Sequence, residues 1–184
     1  MKQGIANVWL LGLIIGFIFM FSAYIAITIN YTASYKMKNE ILKIIEKHKG
    51  VTIYQGTSVS SIFPGYGNVT GHVGTMQTIN LYLRGNAYDA KGKCPTSDGP
   101  WIGINSLTEG AADFDKPASE NNTYYYCISK HKYNNIPAGM QASYYYKVKL
   151  FYRFEIPVLS NWLSVGVEGD TMEIFDVQDG TVWG

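Results

Sequence analysis

The apolar positions of this chain change their spacing twice. From Val8 to Ile29 they run almost unbroken, VWLLGLIIGFIFMFSAYIAITI, and no charged residue falls between Gln3 and Tyr35. At about 1.5 Å per residue this run matches a hydrocarbon core of roughly 30 Å and predicts a transmembrane helix. A cleaved signal peptide is the competing reading. Its apolar region is shorter, about 7–15 residues, and no small-x-small cleavage site follows here. Beyond Asn30 the spacing becomes helical and amphipathic: Met37, Ile41, Ile44, Ile45 and His48 form one stripe, while Lys36, Lys43 and Lys47 take other faces. No Gly or Pro separates the two parts between Ile27 and Leu42. Residues 5–49 therefore predict one rod of about 65–70 Å, with Gly50 as its stop. The upper stripe needs a cover, which the chain's own body supplies. The lower flank, with Gly12, Gly16, Phe19, Ala23 and Ala26, offers helix-packing positions for neighbouring helices.

After Gly50 the period falls to two. ASYYYKVKLFYRFEI, 142–156, alternates Tyr144, Tyr146, Val148, Leu150, Tyr152 and Phe154 with a largely polar set and predicts a long strand. Pro157 ends it. SVGVEGDTMEIFDV, 164–177, reads as a strand, a turn or bulge and more strand, antiparallel to the first. Further strands are expected at 51–55, 76–85 and 123–129, and FPGYGNVTGHVG, 63–74, reads as turn-rich loop. The simplest architecture that buries both stripes is α+β, an antiparallel sheet capped by the upper half of the long helix. The expected organisation is a transmembrane helix at 1–30, an amphipathic stem at 31–50 and a β-rich domain at 51–184.

Within that domain periodicity fails between Arg84 and Asn122, where Gly, Pro, Asp, Asn and Ser predict a long excursion, 84–122. Excursions of this length are usually functional or tied down. Cys94 lies in it and Cys127 on the following strand. A disulfide between them would stabilise the head by roughly 3–4 kcal/mol in the chain-entropy model, provided the domain sits in an oxidising compartment. Two buried thiols are the alternative.

Composition adds little chemistry. Fifteen Lys and Arg against fourteen Asp and Glu leave a net charge of +1, and nothing points to nucleic acid. Fifteen Tyr, eight Phe and four Trp fit a β-rich body. The three histidines, His48, His72 and His131, show no metal-ligand spacing, and there is no CxxC, HExxH or nucleophile elbow. GYGNVTG, 65–71, departs from a phosphate-loop spacing and reads as a turn. Asp89, Asp98, Glu109, Asp113, Asp115 and Glu120 lack the order of a calcium loop. The expectation is a non-enzymatic protein without metal or cofactor. The Tyr124–Tyr126 and Tyr144–Tyr146 triplets read as strand positions before they read as a stacking platform. Asn30, Asn68 and Asn121 fall in glycosylation patterns.

The leader MKQG, the apolar helix running on as a stem, and the ending KLFYRFEIPVLSNWLSVGVEGDTMEIF together resemble type IV pilin-like subunits, in particular TadE-like pseudopilins of tight-adherence pilus systems. The resemblance covers residues 1–50 and 145–176. It implies a single-pass cell-membrane protein with its C-terminal domain outside the cytoplasm, assembling with other copies or other pilin-like subunits into a surface filament or its assembly machinery. It also implies Gly4 as the leader-cleavage residue, although Trp9 stands where processed pilins carry a glutamate. The lysines after the span, Lys36 to Lys49, oppose this orientation on a simple positive-inside count. The alternative function is a membrane-tethered binding module that uses the 84–122 excursion and Trp101 to contact a ligand.

Overall fold

The computed structural model describes residues 2–55, 58–61, 69–70, 74–97, 99–108, 118–133, 143–153 and 164–175. The first helix, α1, is Lys2–Lys47, 46 residues without a break at Asn30, or about 69 Å. No Gly or Pro occurs from Phe17 to Lys49 to interrupt it. Three of its hydroxyls bond back to the helix itself: Ser22 donates to Ile18 O (2.8 Å), Thr28 to Tyr24 O (2.9 Å) and Thr32 to Thr28 O (2.8 Å). That is how polar side chains are carried through an apolar run without an unpaired group.

The helix ends in a Schellman motif. Gly50 N–H donates to Ile45 O (3.0 Å) and Lys49 N–H to Glu46 O (3.1 Å). The left-handed residue is Lys49 (φ 54°) rather than the expected Gly50, which follows at φ 138°. The Gly50 carbonyl accepts from Thr75 Oγ1 at 2.8 Å, tying the top of α1 to the start of the second helix.

A small antiparallel sheet comes next, β1 (Thr52–Gln55), β2 (Ser58–Ser61) and β3 (Val69–Thr70), in that order. The short β3 falls inside the stretch read as turn-rich. The strand expected at 76–85 is instead a helix, α2 (Thr75–Gly85). Met76, Ile79, Asn80 and Leu83 are all buried, at i, i+3, i+4 and i+7, a helical period that aromatic and β-branched neighbours had obscured.

The main sheet contains β4 (Trp101–Ile104), β5 (Tyr126–Lys132), β6 (Ser143–Arg153) and β7 (Ser164–Asp170) in order β4-β5-β6-β7, all antiparallel, with β8 (Ile174–Phe175) beside the start of β6. Two differences from expectation stand out. The excursion holds a regular strand, β4, whose four residues are all buried, so no alternation marks it in the sequence. And β5 begins only at Tyr126; Tyr124 instead makes an isolated bridge to Gly92. The portions of the expected strands and turns at 62–68, 71–73, 154–163 and 176–177 lie outside the described residues.

The architecture is thus α+β, a long apolar N-terminal helix with a C-terminal antiparallel sheet. One face of the sheet, with Ile102, Ile104, Tyr126, Ile128, Tyr146, Val148 and Leu150, packs against Ile41 and Ile45 of α1 and Met76, Ile79 and Leu83 of α2. Fully burying an aliphatic side chain is worth about 1.5–3 kcal/mol, so the upper turns of α1 are held firmly. The opposite face is covered by the excursion, which buries Phe151 with Trp101, Tyr124 and the two cysteines. Phe151 belongs to the face of 142–156 expected to be largely polar. It is only 2% exposed.

Candidate functional site: the helix flank and the stapled head

Along α1 the residues at 12, 16, 19, 23, 26, 30, 34, 37, 41 and 45 recur every three or four positions and so share one side of the helix. Burial along this side changes in the middle. Ile41 and Ile45 are fully buried and Ser34 nearly so, while Asn30, Ala26 and Ala23 are half-buried. Below them Phe19 is 72% exposed, and a Cβ built on Gly12 or Gly16 would meet nothing within 4 Å. One stripe is therefore covered from Ser34 upward, half-buried from Asn30 to Ala23 and open from Phe19 downward. Gly4 lies within α1.

Three contacts fix the head to the rod. Tyr31 meets Tyr152 of β6 edge to face, ring centroids 6.1 Å apart. Lys38, only 6% exposed, reaches Glu168 O at 3.5 Å and lies 4.2 Å from the Tyr35 ring centroid. Room for it is made by Gly169, where a Cβ would come within 2.8 Å of the lysine side chain. Higher up, Glu46 Oε1 accepts the Met172 N–H at 2.8 Å. The space between Glu46, Lys49, Met172, Glu173, Ile174 and Phe175 is a shallow open cleft at the rod's top.

The described part of the excursion, 84–97, 99–108 and 118–122, is tied to the sheet. Cys94 and Cys127 form a disulfide, Cα–Cα 5.7 Å, so the disulfide reading of the two cysteines is the one the structure takes. Tyr88 supplies a second tie. Its hydroxyl accepts the Phe151 N–H (2.9 Å) and has Phe151 O (2.6 Å) and Tyr125 O (2.9 Å) as acceptors for its proton. The last β5–β6 rung is Tyr126 with Leu150, so the phenol occupies the next rung, where a β5 peptide would otherwise sit. Burial pushes its pKa well up, with the Phe151 backbone bond opposing. Nothing in the sequence marks Tyr88 for this role except its place in a chain that must cross the end of a strand.

Trp101, the proposed ligand contact of the excursion, is packed in the second core cluster at 4% exposure. Its indole N–H donates to Ser97 O at 3.0 Å. Gly103 beside it lies against the Tyr124 ring, where no Cβ would fit. In the tyrosine triplets Tyr124, Tyr126 and Tyr146 are buried and Tyr125, Tyr144 and Tyr145 half-buried. On the outer face His131 stacks on Tyr145 at 5.1 Å and contacts Ser129 Oγ at 2.7 Å. Ser129 is fully buried. Among the described residues no three His, Cys, Asp or Glu side chains gather where they would hold a metal ion. Asp98, Glu109, Asp113, Asp115 and His72 lie outside those residues, as does Asn68, whereas Asn121 is exposed in the turn before β5.

No family model matches the chain, and neither a curated protein nor a solved structure matches it.

Proposed function

We propose that this protein is a membrane-anchored, pilin-like structural subunit of a cell-surface filament or of its assembly machinery. α1 is held in the membrane, the head lies outside the cytoplasm, and subunits associate through the lower half of α1. The observation that carries this reading is the single unbroken helix whose one stripe is covered by the head from Ser34 upward, is half-buried at Asn30, Ala26 and Ala23, and is open at Phe19, Gly16 and Gly12. A flexible tether would serve an anchored enzyme equally well. A rigid rod serves packing between copies, because it holds each head at a fixed height while small residues let helix backbones approach. The disulfide supports a head in an oxidising space, against the lysine count around the span.

The test is thiol crosslinking of full-length protein in cell membranes, with cysteines placed at Gly16 and Ala23. Both native cysteines are in the disulfide, so the introduced thiols are the reactive ones. Helix-to-helix adducts are expected at both positions. Strictly monomeric protein at both, with Phe19→Cys equally silent, would overturn the assembly reading.

A further inference from the structure

We infer that the lower rim of the main sheet, at Tyr152 and Val165, is seated on the phospholipid headgroup layer of the membrane that α1 crosses; this rests on reading α1 as a span. The uninterrupted helix makes residue number a measure of height. The apolar run ends at Ile29, and Tyr31 is two residues above it, or about 3 Å. The Tyr31 ring touches Tyr152, so the end of β6 is brought to that height.

The head's own strands provide an independent measure. Val165 pairs with Tyr152 and so shares the level of Tyr31. From there to Met172, whose N–H is bonded to Glu46, is seven residues, five steps along β7 and two beyond its end at Asp170, at most about 23 Å. From Tyr31 to Glu46 along α1 is about 22 Å. The intermediate tie agrees: Tyr31 to Lys38 is about 10.5 Å of helix and Val165 to Glu168 about 10 Å of strand. The last stretch of chain from Val165 to Met172 thus rises alongside α1 with little tilt, and height read on one can be transferred to the other. One rung below Tyr152, Arg153 pairs with Ser164. That rung lies about 3.3 Å lower, at the level of Ile29.

The chemistry at this level suits the interface. Tyr24, Tyr31 and Tyr35 are 65%, 48% and 45% exposed and share one side of α1 at i, i+7 and i+11, an amphipathic ring set of the kind that gathers at membrane boundaries. The lipid surface is therefore a second support for the head, beside the packing of Ile41 and Ile45.

Single-cysteine variants of the full-length chain, labelled with a bimane and reconstituted in phosphatidylethanolamine/phosphatidylglycerol vesicles, test this. Headgroup-nitroxide lipid should quench a Val165→Cys label several-fold more than a Lys132→Cys label, since Lys132 pairs with Tyr144, about 26 Å above Tyr152 along β6. Exposed Glu168→Cys should fall between the two, and it carries the test alone if the Val165 variant fails to fold. A Phe19→Cys label read with acyl-chain nitroxide reports the span separately. Equal headgroup quenching at 165, 168 and 132 with Phe19→Cys still quenched overturns the seating and leaves the anchor standing. An unquenched Phe19→Cys label overturns the anchor, and the seating with it.

Discussion

Removing the disulfide should cost the head a defined amount. Cys94 and Cys127 are separated by 33 positions, and the loop-closure relation for a ring of that size gives about 3.7 kcal/mol at 25 °C. Cys127 is fully buried and Cys94 is 8% exposed, so a Cys94→Ala/Cys127→Ala pair also loses sulfur packing, roughly another 1 kcal/mol. Among the described residues the surrounding cluster adds Ala90, Trp101, Tyr124 and Phe151 as buried members, a small apolar set with which to compensate. With a urea dependence of about 2 kcal/mol per molar, the unfolding midpoint should fall by about 2 M. The assay is urea titration of the full chain in detergent micelles followed by tryptophan fluorescence, comparing the double variant with native protein and with native protein under reductant. Amide exchange should rise first in β4, which among the described strands pairs with β5 alone. A midpoint shift below about 0.5 M at unchanged slope would refute the reasoning, because the excursion would then be held by its other ties alone.

Three further outcomes are expected. Lys49 (φ 54°) and Ala87 (φ 52°) both occupy the left-handed position of a Schellman motif, so Lys49→Gly and Ala87→Gly should each stabilise the head by about 0.5–1 kcal/mol in the same titration. Tyr88→Phe should destabilise it by about 1–3 kcal/mol, because the Phe151 N–H loses its acceptor and nothing polar replaces it. Burial raises the phenol pKa of both Tyr88 and Tyr126. Their contribution is therefore complete below the unfolded tyrosine value of about 10 and is lost as pH climbs above it, at about 1.4 kcal/mol per pH unit for each. Melting curves at pH 9 and pH 11 check this; equal stability at both would contradict it.

The sequence announces α1 and β6 because each buries one stripe at a clean period: Ile41 and Ile45 on the helix, Tyr146, Val148 and Leu150 on the strand. It conceals α2, where Ile79, Leu81 and Leu83 also alternate as a strand would, and only burial of Asn80 beside Ile79 reveals the helical turn. It conceals β4 because a strand covered on both sides has no polar face to betray it. The cysteine pairing was legible as an option that depended on compartment. The attachment of the head was not, since a nearly buried lysine against a carbonyl and a tyrosine in place of a strand rung are outcomes of tertiary geometry. The open flank at Gly12 and Gly16 was legible as composition; that it continues the very stripe the head covers emerges only from burial.

The continuity of α1 has a mechanical corollary. Each residue of an α-helix turns the chain by about 100° and advances it by about 1.5 Å, so a single insertion between Ala26 and Tyr31 would swing the head around the rod while shifting it hardly at all. The azimuth at which the lower flank of the rod points is geared to the compass bearing of the head, and a contact chosen by one end of the molecule dictates which way the other end looks.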